Sequence, residues 1–94
     1  MSKVTVRDAP ATHRYEATTE GAAAGFAAYR LSGEVITFTH TEVDPVFEGH
    51  GIGGALARAA LDDARSRGLG VVPRCPFIKT WIERHPDYGD LVRT

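Results

Sequence analysis

Apolar and polar residues alternate through the first half of the chain and switch to helical spacing in the second half. Val4, Val6 and Asp8 alternate with Thr5 and Arg7 until Pro10, which predicts a short first strand at a sheet edge, where a missing N–H is tolerated. His13 to Thr18 alternates again, and Thr19-Glu20-Gly21 supplies a turn. The alanines of Ala22 to Leu31 favour a helix, but Gly25 and the bracketing Gly21 and Gly33 oppose one, so Gly25 to Leu31 reads as a strand. Ser32-Gly33-Glu34 is a hairpin-like turn. Glu34 to Val43, rich in Val, Ile, Thr and Phe, is the clearest strand. Four strands with tight links predict an antiparallel meander.

The period then changes. Ile52, Leu56, Ala59, Ala60 and Ala64 recur at helical spacing, and Gly68 stands where a C-cap glycine belongs. Leu69-Gly70-Val71-Val72-Pro73 reads as a short buried strand. Strand–helix–strand order then requires a parallel pair joined by a right-handed crossover. Pro76 opens a second helix reaching about Arg84, before His85-Pro86, with Phe77, Ile78, Trp81 and Ile82 as its apolar side. Tyr88 to Thr94 reads as a tail. The expected fold class is mixed α+β: a four-strand antiparallel meander, a helix, a fifth strand parallel to the fourth, and a second helix.

Between the two halves lies Val43-Asp44-Pro45-Val46-Phe47-Glu48-Gly49-His50-Gly51-Ile52-Gly53-Gly54. Glycines leave backbone N–H groups uncovered, and the following helix adds its own unpaired N–H groups and the positive end of its dipole. Such a turn is a receptor for phosphate or diphosphate. The rest of the composition narrows the options. At 94 residues, 1–94 is expected to form one domain, too small to hold both a full cofactor domain and a substrate domain. A net charge of −1 gives no nucleic-acid footprint. No apolar run approaches the ~20 residues of a membrane span. The single cysteine excludes an internal disulfide and fits a reducing cytoplasm. His13, His40, His50 and His85 show no metal-ligand spacing, so no metal is expected.

Simple alternation along the fourth strand puts Ile36, Phe38, His40 and Glu42 on one face and Thr37, Thr39, Thr41 and Val43 on the other. The first face would run from a core into the floor of a cleft, with His40 and Glu42 roughly 7 Å apart. Either could take a proton from a bound nucleophile, and a rim ion pair without chemistry is the plain alternative. Cys75 stands between the fifth strand and a proline-started helix, where a helix N-terminus suits a reactive thiol. An inert buried cysteine is its plain alternative. His50 lies within the glycine turn, facing solvent or a phosphate, and Trp81 reads as core.

Gly49, Gly51 and Gly54 satisfy the G-x-G-x-x-G dinucleotide fingerprint, and Arg74 falls where an NADP-binding protein wants a cation. Against that reading, Asp44 to Glu48 separate strand from glycines, about half the chain lies before the glycines, and too little follows for further βαβ units. The P-loop pattern fails because no Lys-Ser or Lys-Thr follows the glycines.

The order of elements resembles the GCN5-related N-acetyltransferases. Their diphosphate motif, Gln/Arg-x-x-Gly-x-Gly/Ala after a strand and Val-x-Pro, is matched by Val43-Asp44-Pro45 and Glu48-Gly49-His50-Gly51-Ile52-Gly53, with Glu48 in place of Gln or Arg. Four motifs narrow the resemblance to the minimal YjdJ-type subgroup: His40-Thr41-Glu42-Val43, Gly51-Ile52-Gly53, Pro73-Arg74-Cys75-Pro76 and His85-Pro86-Asp87-Tyr88. The likeness covers nearly the whole chain.

This resemblance implies acetyl-CoA as co-substrate and an amine, on a small molecule or a protein, as acceptor. The pantetheine arm would pair with Thr41 to Val43, and the diphosphate would sit on the amides of Gly49, His50, Gly51, Ile52, Gly53 and Gly54. A backbone N–H near Val43 would stabilise the oxyanion, with His40 or Glu42 as base. Relatives use a second-helix tyrosine as acid; none occurs between Cys75 and Arg84, which leaves Cys75 as acid or as nucleophile. A non-catalytic CoA-binding module of the same fold is the alternative, and an NADP-binding fragment a remote one.

Overall fold

The computed structural model describes residues 3–93, so Met1, Ser2 and the last residue of the expected tail, Thr94, lie outside it. Five strands form one sheet in sequence order: β1 (Val4–Ala9), β2 (Arg14–Thr19), β3 (Ala22–Ser32), β4 (Val35–Val43) and β5 (Gly70–Pro73). The first three pairings are antiparallel and β4–β5 is parallel. Helix α1 (Ile52–Ser66) makes the crossover, and α2 (Pro76–Arg84) follows β5. The mixed α+β class and the strand order agree with the sequence pattern.

The alanine-rich segment is strand three residues earlier than expected. Glu20 (φ 52°) and Gly21 (φ 79°) both adopt left-handed backbone, as a two-residue hairpin turn requires. Thr19 therefore pairs directly with Ala22, and the ladder overrides alanine's helix preference.

Helix α1 buries Ile52, Leu56, Ala57, Ala60, Leu61 and Ala64 against Tyr15, Ala17, Ala27, Tyr29, Ile36 and Phe38. Ala57 and Leu61 belong to that face, while Ala59 is only half-buried. In β2, Tyr15, Ala17 and Thr19 are buried, and the alternate Arg14, Glu16 and Thr18 are partly exposed. One face of the sheet is thus covered and the other left open.

Polar clamps tie helix to sheet. Tyr15 donates to Asp63 (2.5 Å) and Tyr29 to Asp8 (2.6 Å), while Arg67 reaches both Asp63 (3.2 Å) and Asp8 (3.6 Å). At the other end the His85-Pro86-Asp87-Tyr88 motif folds the tail onto α1. His85 stacks on Trp81 with centroids 3.8 Å apart, Tyr88 donates to Asp62 (2.6 Å), and Arg65 grips Asp90 through two 2.9 Å bonds. Val92 bridges to Val71, covering the outer edge of β5.

The strand pair β3–β4 departs from the expected alternation. Tyr29 pairs with Phe38 but Ala28 with His40, so Thr39 has no partner and forms a β-bulge. Ile36 and Phe38 stay buried. Beyond the bulge, Thr41 takes their side of the sheet, its hydroxyl against the buried Cys75. His40 and Glu42 instead face the open side with Phe26, whose ring lies 6.0 Å from that of His40. The expected single face of Ile36, Phe38, His40 and Glu42 does not exist, because one extra residue reverses every later side chain.

A Cβ on Gly25 would meet Glu42 O at 2.5 Å and Val43 Cα at 3.2 Å, both main chain of β4. Gly25→Ala should therefore lower stability by about 1–3 kcal/mol, measured by urea unfolding. His40→Ala should change stability by no more than about 0.5 kcal/mol, whereas Phe38→Ala should cost about 3–5 kcal/mol; a large loss from His40→Ala would contradict the bulge. Burial, then the bond to Asp8, pushes the Tyr29 phenol up to about 12 from its ordinary value near 10. Burial, then Asp63, pushes Tyr15 further up. The folded state thus keeps phenolic protons that the unfolded chain releases, so this stability is full below about pH 10 and lost as pH rises towards about 12. Thermal melts across alkaline pH should fall in that window, and by less in Tyr29→Phe.

Candidate acyl-transfer site

The bulge at Thr39 also redirects the main chain. Before it, Glu34 O accepts from Gly70 N (2.8 Å), and Phe38 O accepts from Cys75 N (2.9 Å) and Arg74 N (3.1 Å), so even-numbered residues face β5. After it, Asp44 N donates to Ala24 O (2.8 Å), so even-numbered residues face β3. By the alternation of an antiparallel ladder, the N–H and C=O groups of Thr41 and Val43 point the other way. β5 is absent on that side, since its pairing ends at Phe38–Pro73 and the chain turns off into α2. The two strands diverge around a notch edged by unpaired main chain of β4.

Cys75 stands at the apex of this notch as the N-cap of α2. It is 3% exposed, and its Sγ lies 3.1 Å from Thr41 Oγ1. Lys79 N bonds to Cys75 O (3.0 Å), which starts the helix and fixes the thiol on a rigid element. Phe38 O, by accepting two amides, anchors the same corner. Tyr88 is not an alternative acid here, because its hydroxyl is bound to Asp62, and that bond raises its pKa.

The link from β4 to the glycines is not strand. Asp44 accepts from Val46 N (3.0 Å) and caps a short 3-10 turn, Pro45–Phe47. The amides of Phe47, Glu48 and His50 bond to Asp44 O, Pro45 O and Phe47 O within it. Gly49 (φ 84°) and Gly51 (φ 75°) are left-handed, and Gly51 caps α1 without any side-chain bond. Ala55 N makes the first bond of the helix, to Gly51 O, so the amides of Ile52, Gly53 and Gly54 belong to the unpaired first turn. His50 contributes no free amide; its ring packs edge-on to Phe47. Glu48 is exposed.

Gly53 and Gly54 serve packing as well. A Cβ on Gly53 would lie 2.6 Å from the tip of the Phe77 ring, and one on Gly54 would touch Trp81. The start of α1 thereby nests against the start of α2, next to Cys75. On the open face, His40 Nε2 and Glu42 Oε2 are 3.4 Å apart, both side chains more than half exposed. They form a solvent-facing pair across the strand from the thiol rather than a floor beneath it. Among the described residues no group of three or more His, Cys, Asp or Glu is placed to hold a metal ion.

Sequence reasoning missed Phe77 as a neighbour of this site, and it missed the contact of the Thr41 side chain with Cys75. Phe77 carried no signal beyond apolar spacing, and the side taken by Thr41 depends on the bulge.

Residues 14–91 match the family model described as GCN5-related N-acetyl-transferase. A GCN5-like protein from Staphylococcus aureus, described as a candidate N-acetyltransferase, superposes with a TM-score of 0.73 at 25% identity, over 99% of this chain and 91% of that one. The ribosomal-protein-S18-alanine N-acetyltransferase of Escherichia coli gives 0.63 at 19% identity, over 78% of this chain and 66% of its own, a likeness of fold. Nourseothricin acetyltransferase gives 0.54 at 36% identity, over 64% of this chain and 38% of its own. No curated protein matches the chain. With the notch, the glycine turn and a family match across most of its length, the chain belongs to the GCN5-related N-acetyltransferases, a family of acyltransferase enzymes.

Proposed function

We propose that the protein transfers the acetyl group of acetyl-CoA to an amine. The observation that carries this reading is the unpaired main chain of Thr41 and Val43 along a notch that ends at Cys75. An extended amide-bearing arm can add to that edge as a strand would, and place its thioester at the apex. The amides of Gly49, Gly51, Ile52, Gly53 and Gly54 suit the diphosphate. The exposed His50 ring is available at the same turn. A lone thiol is consistent with a cytoplasmic setting.

In the reaction the amine nitrogen attacks the thioester carbonyl. The Val43 N–H stabilises the oxyanion, and His40 or Glu42 receives the amine's proton. The C–N bond forms, the C–S bond breaks, and the departing thiolate takes a proton from the Cys75 thiol. Thr41, in hydrogen-bond contact with Sγ, relays a proton from solvent to the Cys75 thiolate and ends unchanged. In the covalent variant Cys75 attacks first, coenzyme A leaves as the thiol, and the amine then displaces Cys75 from its acetyl thioester.

Calorimetry should show binding of acetyl-CoA, weakened when Gly51→Val blocks the left-handed turn. Cys75→Ala should lower transfer about 100-fold, the lower range for loss of a general acid. Mass spectrometry of the wild type with acetyl-CoA alone separates the routes, since only the covalent one leaves an acetyl group on Cys75. Firm binding with no transfer to any amine would instead favour a CoA-binding module.

A further inference from the structure

The open face of the sheet carries a cleft of about 500 Å³ where β2, β3 and β4 meet the turn after Val43. Ala23 leaves the space, and the Gly25 main chain, Phe26, Glu16, Glu42 and Asp44 line it. Val43 belongs both to this cleft and, through its main chain, to the notch. A molecule seated in the cleft therefore approaches the proposed thioester position from the side opposite α1.

The charges in the cleft are uneven. Arg14 is already neutralised, because its Nε lies 2.8 Å from Glu16 and its guanidinium sits 4.5 Å over the Phe26 ring. Among the described residues, Glu42 has only His40 as a partner, and Asp44 accepts only the Val46 N–H. Two carboxylates thus face the space without an arginine or lysine to balance them. Such a cleft attracts cations and repels carboxylates. The reacting nitrogen, however, must lose its proton to attack, and its attraction to the carboxylates goes with it. Only a second positive charge keeps that attraction into the transition state, where it accelerates the reaction.

We propose that the acceptor is a small diamine: a primary amine carrying a second cationic group a few bonds away, held between Phe26, Glu42 and Asp44. This rests on the acetyltransferase reading above. The reacting amine reaches Glu42 and Val43, and the second ammonium remains beside Asp44 with its methylene spacer along the cleft floor.

Putrescine, n-butylamine and γ-aminobutyrate share one four-carbon chain and differ only in the far end, so they test the charge directly. With acetyl-CoA, kcat/KM should be about two- to fivefold higher for putrescine than for butylamine, as an exposed charge pair allows, and lowest for γ-aminobutyrate. Asp44→Asn keeps an oxygen to accept the Val46 N–H and should erase the putrescine preference without shifting the melting temperature. Equal or better use of butylamine or γ-aminobutyrate, or a preference unchanged in Asp44→Asn, overturns the proposal. Amide NMR with putrescine alone requires no turnover. Saturable shifts at Phe26, Glu42 and Val43 support the cleft, and shifts elsewhere or none overturn it. Failure of acetyl-CoA to bind in calorimetry would instead strike the acetyltransferase reading, and putrescine shifts in the cleft would still stand.

Discussion

One unpaired residue, Thr39, governs the geometry of the site. A regular β4 would bury His40 on the helix side, where Thr41 now meets Cys75, and would turn the free main-chain groups of Thr41 and Val43 into the ladder with β3. The inserted residue exchanges both at once. Side chains that can move protons go to the open face, and amides that can hold a ligand go to the notch. A bulge carries a local loss of ladder bonds with β3, while on the β5 side Phe38 O accepts two donors, Arg74 N and Cys75 N, at the same point. The irregularity of β4 and the departure of β5 into α2 are therefore one feature, held by one carbonyl.

The remaining structure keeps that corner still. Gly25 lets β3 come close to the end of β4, and Ile52 packs on the same spot, so the start of α1 is fixed beside Val43. Asp44 and the proline turn hold the chain between them. At the far side, Trp81, His85 and Tyr88 form a stack that joins α2 and the tail to α1. These contacts explain the His-Pro-x-Tyr motif as a clamp, because its aromatic and hydroxyl groups are consumed by packing and by Asp62.

Much of this was legible in the sequence because it rests on local rules. Period-2 alternation, glycines at turns, helical spacing from Ile52 to Ala64 and a proline-started second helix gave the element order and the parallel pair. The family motifs located Cys75 and the glycine turn. The faces of β4 were not legible, since nothing in Val-Ile-Thr-Phe-Thr-His-Thr-Glu-Val marks which residue will be left out of the ladder. That choice is made by partners on β3 and β5, distant in sequence. The Tyr15–Asp63–Arg67–Asp8–Tyr29 network was hidden for the same reason: it joins three elements through side chains that, read singly, look like ordinary surface charges and core aromatics. The roles of Gly53 and Gly54 were read as phosphate approach, and their contact with Phe77 and Trp81 needed a docked second helix to become visible.

That contact has a mechanical corollary. The Phe77 ring resting on Gly53 acts as a spacer between the two helix starts, and so sets the span from the glycine turn to the Cys75 sulfur. A span fixed by van der Waals contact between uncharged groups does not respond to ionic strength or to protonation.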